Sequence, residues 1–156
     1  MSTSLLYHAF GVRGYRYRKT EYEGGMVLFH AEAQSSVCRC SACGEKEVVR
    51  RGSINRWFRS VPIGGKLTWI VVDLPRVECH RCGLVRQVKI GFAPPRCSYT
   101  KAFAKYALEL SRHMTIKDVA HHLCISWDVI KEIKKTYLRK HFARPSLKDV
   151  RQIAID

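Results

Sequence analysis

The chain is 156 residues long, none of its apolar stretches reaches the roughly 20 residues of a membrane-spanning helix, and 28 Lys and Arg against 13 Asp and Glu leave a net charge of +15. This length accommodates one domain or two small ones, and the lack of such an apolar stretch argues against a helical membrane protein. The charge points to a polyanionic partner, nucleic acid ahead of an anionic membrane, because no long basic amphipathic segment stands apart from the folded regions.

In chain order, a short polar start leads into an apolar stretch, Leu5 to Gly14, closed by Gly11 and Gly14. A hairpin is predicted next. Tyr15 to Tyr22 and Met26 to Ala33 are rich in aromatic and aliphatic residues and are joined through Glu23-Gly24-Gly25, the chemistry of a tight turn. Arg16 and Arg18 are expected on one strand face, solvated in the first reading and in contact with phosphate in the alternative.

The next segment contains Cys38-Arg-Cys40-Ser-Ala-Cys43-Gly44 and, further on, Cys79-His-Arg-Cys82-Gly83. Two Cys-x-x-Cys-Gly knuckles suit tetrahedral Zn2+, since a two-residue spacer lets one turn present two thiolates to the metal. A glycine after the second cysteine tolerates the positive φ that such a knuckle needs. Cys40, Cys43, Cys79 and Cys82 are therefore the expected ligands, with Cys38 as a competitor for Cys40 or Cys43. A redox Cys-x-x-Cys fits less well because there are two motifs in turn-rich settings. Disulfides fit less well again, because the sequence begins without the apolar run of a signal peptide.

Between the knuckles, a second hairpin is predicted, with Gly64-Gly65 separating Trp57–Val61 from Leu67–Leu74. So small a ribbon is expected to be closed by metal rather than by a core. Arg51, Arg56 and Arg59, interleaved with Trp57 and Trp69, are candidate phosphate contacts.

Pro94-Pro95 ends this region and the apolar period changes. Thr100 is a candidate N-cap for a helix to about Met114. Thr115 with Asp118 begins a second helix in capping-box fashion, and Ser126 caps a third over 127–142. Ala120, Cys124, Ile125, Ser126, Ile130 and Ile133 form the pattern of a helix-turn-helix. Cys124 stands where glycine is frequent, so a turn that is slightly strained or differently shaped is expected. In the third helix Ile130, Ile133 and Tyr137 are expected to face inward, with Trp127, Asp128, Lys131, Lys134 and Lys135 outward. Ser126, Trp127, Lys131, Lys134 and Lys135 are thus candidate DNA contacts. Cys97 and Cys124 read as ordinary thiols.

The resulting fold class is α+β: a hairpin region over 1–35, a zinc ribbon over 36–93, a helix-turn-helix over 94–145, and over 146–156 a linker and the first strand of a further domain. The order of these parts, through Arg76-Val-Glu-Cys79, Tyr99-Thr100 and Ile153-Ala-Ile-Asp156, resembles the N-terminal portion of insertion-sequence transposases of the L-three type. The resemblance implies binding of double-stranded DNA at the terminal inverted repeats of an insertion sequence. It implies an RNase H-like domain with a DDE triad and Mg2+ in the full-length form, Asp156 standing where the first carboxylate would be. It further implies a cytoplasmic, nucleoid-associated bacterial protein, a homodimer in its full-length form. This chain alone is expected not to be an enzyme. A free-standing zinc-ribbon and helix-turn-helix transcription regulator is the alternative. An RNA-binding ribbon protein is a third reading, but it would not need the helix-turn-helix.

Overall fold

The computed structural model describes residues 5–143, 148 and 151–152. Of the strand expected from Gln152 to Asp156, residues 153–156, Asp156 included, lie outside the described residues, as does most of the linker before it. Two compact units are formed, residues 1–106 and 107–156.

The first unit is built on a five-stranded sheet. β1 (Tyr15–Glu23) and β2 (Met26–Ala33) form one antiparallel hairpin, and β3 (Val48–Ile63) and β4 (Lys66–Cys79) another. Each turn is a glycine pair with both φ positive, 54° and 76° at Gly24-Gly25 and 55° and 75° at Gly64-Gly65. That is the turn whose twist matches the flanking strands. β5 (Val85–Gln87) pairs with the end of β4.

The two hairpins do not stay apart. β2 runs parallel to β4, from Val27 opposite Thr68 to Glu32 opposite Asp73, giving the order β1-β2-β4-β3. The boundary expected after residue 35 is therefore corrected, since one sheet crosses it. The cause is that β2 and β4 are buried on both faces: Phe29 and Ile70 on one, Leu28 and Val71 on the other. Strands apolar on both sides belong inside a sheet.

On one face lies a core of Val27, Phe29, Phe58, Ile70, Val72 and Leu74. Two pieces without a predicted element complete it. Leu5 to Phe10 is a helix, α1, which buries Leu6 and Phe10, one turn apart, against the sheet. Phe92 packs edge-on to both Tyr15 and Phe58, with ring centroids 5.1 Å apart in each case. Beyond it, residues 98–100 lie along β3, where Arg59 N–H donates to the Ser98 carbonyl and Thr100 N–H to that of Arg59.

α2 (Lys101–Leu110) runs across the division between the units and begins as predicted, with Phe103 N–H donating to Thr100 Oγ1. In the second unit α3 (Ile116–His122) starts at Thr115, whose hydroxyl accepts from Asp118 N–H. α4 (Trp127–Phe142) starts at Ser126, which accepts from Asp128 N–H. Both are the caps read from the sequence. Val119, Ala120, Leu123, Ile130 and Ile133 are buried. Tyr137, expected inward, is 40% exposed. α3 has seven residues and α4 sixteen, so at 1.5 Å per residue the C-terminal half of α4 outruns its neighbour. Tyr137 stacks instead on His141, with ring centroids 4.5 Å apart.

Candidate metal centre and nucleic-acid interface

The two knuckles are built alike. Cys40 N–H donates to the Glu45 carbonyl and Gly44 N–H to that of Cys40; in the second, Cys79 N–H donates to Leu84 and Gly83 N–H to Cys79. Gly44 and Gly83 have φ of 78° and 66°, the left-handed region that glycine enters without a steric penalty. This repeated turn brings the sulfurs of Cys40, Cys43, Cys79 and Cys82 within 4.8 Å of one another. Sγ–Sγ separations are 3.6 Å for Cys40–Cys82, 3.5 Å for Cys43–Cys79 and 3.9 Å for Cys43–Cys82. A disulfide would need about 2.05 Å, whereas a tetrahedron of thiolates at about 2.3 Å from zinc has an edge of roughly 3.8 Å. The donor set fits Zn2+.

Cys38 lies outside this group, which removes it as a competing ligand. It is buried, its thiol donates to the Gln34 carbonyl at 3.5 Å, and it accepts from the Arg50 guanidinium at 3.2 Å. In the thiol cluster the backbone N–H groups of Cys43 and Ala42 hold Cys40 down at about 6. For Cys43 the Glu45 N–H acts in the opposite direction, yet the shared hydrogen bond with Cys79 pushes its thiol up to about 12. Cys40 is thus disposed to the thiolate that a metal needs, and a metal displaces the proton shared between Cys43 and Cys79.

The second site is the start of α4. At about 100° per residue Trp127, Lys131, Lys134 and Lys135 fall within one arc of the helix that borders the buried stripe of Ile130 and Ile133. Trp127 is 48% exposed, and the Lys131 ammonium lies over its ring, 5.1 Å from the centroid. Ser126, Lys131 and Lys135 are exposed, and Lys134, at the border of the buried stripe, is half-buried.

The ribbon arginines do not form one surface. Arg51 is exposed but pairs with Glu78 at 2.6 Å, and half-buried Arg56 lies over the Phe58 ring, 5.3 Å from its centroid. The expectation that Arg59 touches phosphate is corrected: it is 3% exposed, with its guanidinium 5.4 Å from the Trp69 ring and 5.9 Å from that of Phe103. Register along β3 places Arg59 opposite Trp69 on β4, and Phe103 in the first turn of α2 lies against the Arg59 guanidinium. The cations beside the turn at Ser35, namely Arg39, Lys46 and Arg50, were missed, because their only signal in the sequence is proximity to the first knuckle.

A metal-type ribbon joined to a helix-turn-helix defines a protein of the DNA-binding class. Two family models match: the zinc-finger of transposase IS204/IS1001/IS1096/IS1165 over residues 36–82, and the helix-turn-helix domain of transposase family ISL3 over residues 88–137. Together they identify the two DNA-binding modules of an ISL3-type transposase N-terminal region in this chain. No curated protein and no solved structure matches it. Among the described residues no helix is long and apolar enough to cross a membrane.

Proposed function

We propose that this chain recognises the terminal inverted repeats of an insertion sequence as double-stranded DNA. In this reading α4 enters the major groove, Ser126, Trp127 and Lys131 near its start address base edges, and Lys134 and Lys135 contact phosphates. The observation that carries it is the exposed Trp127–Lys131 face of an N-capped helix, bordering the buried stripe of Ile130 and Ile133, within a segment matched by a transposase helix-turn-helix. Zinc held by Cys40, Cys43, Cys79 and Cys82 would supply four bonds that tie the two ends of the ribbon. Arg51 and Arg56 add affinity without sequence preference.

Recognition rather than strand transfer is the role assigned to the chain by itself. Among the described residues the four thiols are the one group gathered closely enough to hold a metal ion, and they suit zinc. Asp156, the proposed first carboxylate of a DDE triad, belongs in this reading to chemistry carried out with a further domain. Dimerisation is likewise assigned to the full-length form.

Selection of bound duplexes from a randomised pool, followed by anisotropy titration, tests the proposal. One enriched sequence is expected, bound more tightly than random duplex, with Lys131→Ala reducing that preference. A pool that stays random after selection would sink the reading.

A further inference from the structure

A second surface, on the first unit, is assigned to nothing so far. Ser35–Val37 is a single 3-10 turn between β2 and the first zinc knuckle, and a cleft opens on either side of Ser35 and Ser36. One, of about 440 Å3, is lined by Arg16, Gln34, the two serines and Arg50, together with Glu32. The other, of about 240 Å3, is lined by the serines, Cys38, Arg39 and Lys46. We propose that these two clefts grip the phosphodiester backbone of nucleic acid, an inference that rests on the reading of DNA as the partner and extends it to a separate part of the chain.

The charge balance favours an anion. Glu32 is the one carboxylate lining either cleft, and it is contacted by both Arg16 and Arg18, so two guanidinium groups share one negative charge. Arginine bridges to carboxylates among the described residues are those of Arg16, Arg18, Arg51 and Arg112; neither Arg39 nor Arg50 takes part in one. The ligand chemistry is that of a phosphate: guanidinium forks, an ammonium and two hydroxyls converge on one short turn. An acidic protein partner fits less well, since neither cleft presents the aromatic anchor on which protein interfaces concentrate their affinity.

The clefts are also held in shape before anything binds. The turn is closed by Val37 N–H to Gln34 and Cys38 N–H to Ser35, Arg39 N–H donates to Val37, and Cys40 N–H continues into the knuckle. Arg50 is fixed by its hydrogen bond to Cys38 at 3.2 Å. Pre-ordering of this kind removes part of the entropic cost of binding a flexible polyanion.

The test uses the full chain with zinc and a random-sequence duplex, titrated over a range of salt. Removing two phosphate contacts in Arg39→Ala/Lys46→Ala should flatten the plot of log affinity against log salt by about 1.8, at roughly 0.9 per contact. Both side chains are exposed, so zinc content and helical circular dichroism should stay as in the parent. Arg86→Ala/Lys89→Ala removes the same charge from exposed residues elsewhere on the unit and should leave the slope nearly unchanged. An unaltered slope in the first double variant, or equal flattening in both, overturns the inference. Binding of random duplex that depends on Arg39 and Lys46 while selection finds no preferred sequence would uphold these clefts and sink the recognition reading. Absence of any duplex binding at low salt overturns both.

Discussion

Gly14 has φ of 79°, a methyl group built on it would lie 2.2 Å from Val37 Cγ1, and the Gly14 carbonyl accepts from Gln34 N–H. Steric overlap and a left-handed backbone therefore act together at this position. Gly14→Ala is expected to destabilise the first unit by about 2–4 kcal/mol, read from urea unfolding followed by Trp57 and Trp69 fluorescence. Cys124 presents the converse case, a non-glycine residue at φ 50° in the turn between α3 and α4. The strain anticipated from the sequence is thus present in the structure. Cys124→Gly should be neutral or stabilising by less than about 1 kcal/mol, because relief of the backbone outweighs the added freedom of the unfolded chain, whereas Cys124→Val should cost about 1–2 kcal/mol. Thermal melts followed at the helical band separate the two, and a Val variant as stable as the parent would contradict the assignment. These residues were legible because a turn writes its conformation into one or two positions. Arg59 was not. Whether a strand arginine meets solvent or the rings of Trp69 and Phe103 depends on what covers the strand, and no local pattern carries that.

Among the elements, the knuckles and α4 could be read because each is specified over a few consecutive residues: Cys-x-x-Cys-Gly, and Ser126 before an apolar stripe. The parallel pairing of β2 with β4 could not. It joins Val27–Glu32 to Thr68–Asp73 across some 40 positions, and its only trace in the sequence is that both strands are apolar on two faces. α1 escaped for a related reason, since six residues hold too little of a helical period to stand out. The uneven burial along α4 gives a direct test of the observed packing. Ile130, fully buried beside α3, should cost about 2–5 kcal/mol when changed to Ala, while Tyr137→Ala, on the same stripe but 40% exposed, should cost less than about 1 kcal/mol. Equal costs in chemical denaturation would mean that the C-terminal half of α4 is covered after all. For function, Lys131→Ala and Arg51→Ala divide the work of two elements. The first is expected to lose more on the selected duplex than on random DNA, the second to weaken both alike, as competition titrations would reveal.

At the scale of the whole molecule, the structure changes what the metal is expected to do. Read as an isolated ribbon, residues 36–93 were too small for a core and zinc stood in for one. In the folded chain the β3–β4 hairpin shares its sheet with β1 and β2, and Phe58, Ile70, Val72 and Leu74 are buried among residues that α1, β2 and Phe92 supply. The thiol cluster sits at the other end of the hairpin, where β4 finishes at Cys79 and β5 turns back. Stripping zinc should consequently loosen that end alone. With a strong chelator, or in Cys82→Ser, amide protection is expected to vanish over 40–47 and 79–87, where Cys40, Gly44, Cys79 and Gly83 donate within the knuckles. Protection should persist at Ile70 and Val72 and throughout α3 and α4, because the core of the first unit and the compact second unit do not pass through the metal. Acid should act in the same direction as the chelator, since the thiols must give up protons to bind metal and affinity falls as pH falls. Hydrogen exchange on zinc-loaded and chelated protein distinguishes this from the isolated-ribbon expectation: loss of protection across the whole of β3 and β4 would restore the metal as the element that holds the sheet.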